Sequence, residues 1–191
     1  MKIDSLERSR WKHPRTAQFL QHLASIQFAD RYDALCRAHA QIAVAPSAPV
    51  QRAAMRKMGR PICYSNRWGR YQWREAWRVP SRLPKYSAIG LDIRITERVE
   101  LELLFATPDG HLSGPFPRFL QQLRRLEKPD YKHVNPAPRI GAAAELPIIV
   151  AESLALYDDI ARSLKGDSWW ELTPRPRLQE APAEPPYELA A

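Results

Sequence analysis

Three tryptophans and four arginines stand within residues 67–80, RWGRYQWREAWRVP, relieved by a single acid, Glu75. A guanidinium forms forked hydrogen bonds to phosphate oxygens, and an indole offers a flat face on which a base can stack. Together they are the residue types of a nucleic-acid surface. The charge is also focused: ten bases between Arg52 and Lys85 stand against one acid, a net +9 in a chain whose total is +8, leaving −1 elsewhere. A local positive field of this kind draws polyanions, whereas the same charges scattered would not. The function expected on this basis is that of a non-catalytic nucleic-acid-binding or accessory protein. It would contact a DNA or RNA phosphate backbone through Arg52, Arg56, Lys57, Arg67, Arg70, Arg74, Arg78 and Arg82, with Trp68 or Tyr64 stacking on a base. Nothing of the helix-turn-helix, zinc-finger or RNA-recognition signatures accompanies these residues, so the contact is expected to ignore base sequence. The competing explanation is a sheet face kept soluble, since arginine also discourages edge-to-edge pairing.

Catalytic patterns are sparse. The five histidines (13, 22, 39, 111 and 133) lack metal-ligand spacing, and there is no GxxxxGK[ST] loop, GxGxxG turn or GxSxG elbow. No metal or cofactor is therefore expected, and ATP-driven function is disfavoured. Two places could hold chemistry. Glu75 interrupts an apolar row and needs a partner, which an ion pair supplies more simply than a role as base. In DYKHVNP, the neighbours Tyr131, Lys132 and His133 are the residue types of metal-free RNA cleavage, which makes a nuclease the rival reading. Asp158, Asp159 and Glu152 read as solvated carboxylates on the wet side of a helix.

The elements that would position these residues follow from periodicity. Phe19, Leu20, Leu23 and Ile26 share one side of a first helix, with Pro14 in its opening turn. Tyr32, Leu35, Cys36, His39 and Ile42 mark a second helix, from about residue 29 to 43, that pairs with the first. A short third helix between Pro49 and Gly59 carries Arg52, Arg56 and Lys57. From residue 60 the period becomes two. A helix over 70–78 would have no apolar side, but a strand puts Tyr71, Trp73, Trp77 and Val79 on one face with Glu75, and Gln72, Arg74, Ala76 and Arg78 on the other. Trp68-Gly69 can turn the chain before it. Ile89, Leu91, Ile93 and Ile95 alternate in one further strand, and Val99, Leu101, Leu103 and Phe105 in the next. These two form a hairpin with Arg94 across from Glu100. PDGHLSG reads as a loop. Two amphipathic helices follow, one on Phe116, Phe119, Leu120, Leu123 and Leu126, the other from residue 143 to Gly166, joined by a proline-rich excursion.

The expected fold is thus α+β: a four-stranded antiparallel meander over about 61–66, 70–79, 87–95 and 99–106, flanked by two to three N-terminal and two C-terminal helices. Residues 1–172 form the domain, and 173–191, rich in proline and acid, a disordered tail. Trp169-Trp170 reads as an anchor on the core or, with the tail, a docking element for a protein partner. An acidic protein meeting the basic face, in an assembly subunit, is the third reading. The opening residues lack the apolar stretch of a secretory signal and no run reaches bilayer length, so a cytoplasmic protein without membrane contact is expected. Cys36 and Cys63 read as small buried hydrophobes. The compact, arginine-rich chain, 22 arginines to seven lysines, suggests a bacterial or phage origin.

Overall fold

A computed structural model describes residues 16–40, 44–78, 86–107, 110–132 and 136–166. The fold is α+β, with one antiparallel sheet whose strands follow chain order: β1 (Cys63–Ser65), β2 (Arg70–Arg78), β3 (Tyr86–Ile95), β4 (Val99–Thr107) and β5 (Gly110–Pro115). Helices α1 (Thr16–Ser25), α2 (Phe28–Ala38) and α3 (Ala48–Lys57) precede the sheet. Helices α4 (Phe116–Glu127) and α5 (Leu146–Gly166) follow it.

Period-two alternation gives the sheet two chemically distinct faces. On the inner face the register aligns Glu75–Ile89–Phe105–Leu112, Trp73–Leu91–Leu103–Gly114 and Tyr71–Ile93–Leu101 in cross-strand rows. Apart from Trp73 and Glu75, every side chain in these rows is buried. Helices cover this face from both ends of the chain. Phe19 of α1 stacks on Phe105 of β4 at 6.0 Å between ring centroids, and meets Phe119 of α4 at 5.4 Å. Phe28 and Tyr32 of α2 meet Phe116 edge-on at 5.2 and 5.5 Å. Such pairs add about 0.5–1.5 kcal/mol each to the burial of their surface. Arg124 of α4 ties the layer laterally through bonds of 2.7 Å to Asp30 and to Asp33 of α2.

The expected hairpin of β3 and β4 is present in the expected register, with Arg94 opposite Glu100 and their charged groups 3.7 Å apart. Among the described residues the sheet has five strands where four were expected. PDGHLSG contributes most of β5, which has no apolar alternation because only Leu112 points inward. Pairing along the open edge of β4, from Thr107↔Gly110 to Glu102↔Pro115, makes it a strand. The second helix also stops earlier than its stripe suggests, at Ala38. His39 leaves helical geometry there, and its carbonyl accepts the Arg139 N–H at 2.7 Å.

That bond belongs to the proline-rich excursion, which is pinned from four sides. Tyr32 donates to the Pro136 carbonyl (2.9 Å), Val99 N–H to Pro138 (2.9 Å), Ile140 N–H to Glu97 (3.1 Å), and Val44 N–H to Ile140 (2.7 Å). Cys36 is buried, and burial pushes its thiol up to about 12. Cys63 is exposed, contrary to its reading as a core residue, because it sits on the outer side of a three-residue edge strand. Pro14, residues 41–43, Trp169-Trp170 and the tail lie outside the described residues.

One close approach on the outer face is specific enough to test. A Cβ added at Gly90 would lie 2.5 Å from Cδ of Arg74, whose stem crosses the sheet at that point. Gly90→Val should therefore lower stability by about 1–3 kcal/mol through overpacking. In an Arg74→Ala background the same change should cost less by at least about 0.5 kcal/mol. Urea unfolding of the four proteins measures this coupling, and strict additivity would refute the contact.

Candidate nucleic-acid interface

The basic residues of the central third divide into two groups with different surroundings. Arg70 and Arg74 lie on the outer sheet face as the strand reading requires, yet they are not free. The register sets Gln72 beside Asp92 and Asp92 beside Glu102. Asp92 is buried on what is otherwise the solvent side, and a buried carboxylate needs compensating charge. Arg74 binds it and also donates to the Trp73 (2.8 Å) and Leu91 (3.3 Å) carbonyls. Arg70 binds Glu102 and approaches Asp92 at 3.9 Å. Their heads are laid down on the sheet and ion-paired, in place of the open arginine face the alternation suggested. Arg60 leaves the patch in a similar way, bidentate on Asp158 of α5 with one bond of 2.7 Å.

The second group keeps its charge available. Arg52, Arg56 and Lys57 are exposed on α3, Arg67 is exposed on the β1–β2 turn, and none has a carboxylate partner among the described residues. Helix α3 forms because Pro49 supplies the first-turn geometry and Ala54 and Met55 give it a buried side. Arg52 and Arg56, one turn apart, therefore share the opposite side. Gly59, at φ +64°, releases the chain toward β1.

Ser65 pairs with Arg70, and the four residues between them reverse the chain. The Trp68 N–H donates to the Ser65 carbonyl at 3.3 Å, and Gly69 takes φ +58°, a conformation that a Cβ would strain. This turn holds Trp68 59% exposed, with the Arg67 guanidinium 4.9 Å from its ring centroid. Tyr64, 52% exposed, packs its ring on Tyr71 at 4.9 Å and brings its hydroxyl to the Gly69 side of the turn, 4.0 Å from where a Cβ of that residue would stand. The Tyr71 phenol is raised by burial and by Tyr64, while the nearby charge of Arg52 works the other way. Arg52 of α3 is therefore near enough to bear on Tyr71, the ring beneath Tyr64.

Two sequence-predicted contacts fall outside what can be placed: Arg78 has only its backbone described, and Arg82 lies outside the described residues. Tyr64, named in the sequence only as an alternative stacking residue, stands with Trp68. The sequence reading missed Asp92 as the residue that removes Arg70 and Arg74. The alternation of β3 put it on the outer face, but only the β2–β3 register brings it to them.

Among the described residues proposed for cleavage, Tyr131 and Lys132 do not line the cleft that holds Glu75. Tyr131 and Lys132 follow α4, with the Tyr131 carbonyl accepting from Arg125 Nε at 3.4 Å, and His133 lies outside the described residues. Glu75 instead sits in a cleft of about 610 Å³ lined by Arg60, Trp73, Asp158, Ala161, Arg162 and Lys165. It binds Lys165 and accepts the Trp73 indole N–H at 2.9 Å, while Arg60 stands 5.6 Å from the centre of that indole. Burial raises its carboxyl, but Lys165, Trp73 and Tyr157 together outweigh this and hold it below the ordinary glutamate value. The ion-pair reading of Glu75 is the one realised. Asp158, Asp159 and Glu152, expected to be merely solvated, hold Arg60, both Arg31 and Arg162, and His39. Among the described residues no three His, Cys, Asp or Glu side chains gather as a metal site, and no helix is long and apolar enough to cross a membrane.

The chain matches no protein-family model, no curated protein and no solved structure.

Because Glu75 has a lower pKa folded than unfolded, its stabilisation is complete above the ordinary glutamate range and disappears as pH falls through the lower folded value. Glu75→Gln should cost about 1–3 kcal/mol at neutral pH. Urea unfolding across a pH series should show that difference shrinking toward zero in acid, and a pH-independent difference would contradict the pairing.

Proposed function

We propose that the protein is a non-catalytic nucleic-acid-binding or accessory protein, whose phosphate-contacting surface is α3 together with the β1–β2 turn. The observation that carries this reading is that Arg52, Arg56, Lys57 and Arg67 are exposed with no carboxylate partner among the described residues, and that the Arg67 guanidinium stands over the exposed ring of Trp68. Surface cations so placed raise the local concentration of a polyanion and exchange its counterions. A solubilising role accounts for Arg70 and Arg74, which are neutralised in place, but it gives no reason for exposed Trp68 and Tyr64 at the same spot. Isolated exposed apolar residues are ordinary, whereas aromatics interleaved with unpaired arginines are the composition of a stacking platform.

The nuclease reading gains no support from the arrangement of Glu75, Tyr131 and Lys132. A basic face that meets an acidic protein uses the same cations, and the two partners differ in how salt acts on them.

The test is the salt dependence of binding to a fluorescent oligonucleotide, followed by anisotropy. Affinity should fall steeply between roughly 50 and 200 mM salt, and the slope of log K against log salt should drop by about one for each of Arg52→Gln, Arg56→Gln and Arg67→Gln. Arg74→Gln should leave the slope unchanged, because that charge is already matched by Asp92. Equal slopes for all four variants would remove the surface assigned here.

A further inference from the structure

The geometry of the β1–β2 turn carries the reading one step further, to the kind of nucleic acid. We infer that the surface takes a single-stranded chain, RNA or DNA, with an unpaired base stacked on Trp68 and the flanking phosphates held by Arg67 and the α3 arginines. This rests on the nucleic-acid reading above and narrows it.

Three features favour unpaired bases. First, Trp68 stands at the apex of a hairpin whose geometry is fixed by the glycine at φ +58°. Its ring is held on one side by the Arg67 guanidinium at 4.9 Å, and its 59% exposure leaves the rest of the ring to solvent. A tryptophan held flat by a cation and open to solvent presents a surface for a base, because every base has a π-face and stacking needs no particular hydrogen-bond pattern.

Second, Tyr64 of β1 brings its hydroxyl to the turn that carries Trp68, 4.0 Å from where a Cβ of Gly69 would stand. Two neighbouring rings of this kind can engage successive bases of a flexible strand. In a duplex both base faces are already occupied by neighbours, and reaching one costs a few kcal/mol of unstacking.

Third, the exposed side of α3 offers cations and small apolar residues but no amide. These are Ala48, Pro49, Arg52, Ala53, Arg56 and Lys57, and the one amide of the helix, Gln51, turns back to donate to the Pro46 carbonyl at 2.9 Å. The cations can hold a backbone, while the hairpin supplies the contact to bases. Cations alone would not distinguish a strand from a duplex.

The experiment compares four probes on the full chain by anisotropy and intrinsic fluorescence: oligo(dT) and oligo(U) of about a dozen nucleotides, a mixed-sequence duplex of the same length, and poly-glutamate. Both single strands should bind more tightly than the duplex and quench tryptophan emission. Trp68→Ala should weaken single-strand binding about tenfold to a hundredfold without altering the salt slope or the duplex affinity. Trp68→Phe should recover most of the affinity while losing the quench, which separates stacking from a folding defect. A thermal melt of both variants should match the parent, since the ring is exposed.

Equal affinity for duplex and single strand, with no effect of Trp68→Ala, would overturn the single-strand inference and leave the phosphate-binding surface standing. Absence of binding to any nucleic acid at low salt would remove both. Poly-glutamate bound as tightly as the oligonucleotides would overturn both in favour of an acidic protein partner.

Discussion

A carboxylate buried on the solvent side of a sheet must be matched where it stands, and Asp92 sets that condition for this molecule. Its side chain is nearly inaccessible although it points away from the hydrophobic core, because Arg74 and Arg70 are drawn down over it and Gln72 flanks it. Gly90, one row along, leaves room for the Arg74 stem to cross. The outcome is an outer face on which opposite charges are matched pair by pair, Arg74 with Asp92 and Arg70 with Glu102 across neighbouring rows and Arg94 with Glu100 in one row. Surface ion pairs contribute little apiece, but a buried member leaves a large penalty if its partner is removed. Among the described basic residues between Arg52 and Arg74, those with no carboxylate partner are thereby Arg52, Arg56 and Lys57 of α3 and Arg67 of the β1–β2 turn.

The same matching recurs along α5. Arg60, Arg31 and Lys165 find Asp158, Asp159 and Glu75, which joins the last helix to the segment after α3, to α2 and to β2. The Asp159 carboxyl is lowered chiefly by Arg31, and the Arg60 guanidinium is raised by Asp158. A chain with a large excess of positive charge has thus placed its acids against those cations that need to lie flat. What remains without a described carboxylate partner among residues 52–67 is a small set, Arg52, Arg56, Lys57 and Arg67. That division, more than the total charge, gives the functional reading its content.

Much of this architecture was legible in the sequence wherever one periodicity had no competitor. The β3–β4 hairpin could be read to its register, because two clean alternations separated by three residues allow few alternatives. The strand character of 70–78 followed from the failure of the helical reading to leave any apolar side. Residues 110–115 were opaque: two glycines, a serine and a proline carry no alternation, and the open edge of β4 imposes their conformation. The end of α2 was misplaced for a related reason, since the apolar stripe runs on past Ala38 while the excursion at Arg139 captures the carbonyl of His39. Of the surface, the charge focusing was visible, but its division was not. Separating Arg52 from Arg74 depends on the pairing of β2 with β3, and the seven residues between those strands, 79–85, leave that pairing open to the sequence reader.

The helical layer is assembled from both ends of the polypeptide, with α1 and α2 made before the sheet and α4 and α5 after it. Each strand of the meander pairs with its predecessor, so the sheet needs only local encounters. Its covering does not: α1 and α2 close on β4 and α4, while the part of the apolar face under α5 waits until residues 146–166 have left the ribosome. Until then a nearly complete sheet shows part of its greasy side, the kind of surface that favours aggregation or chaperone capture.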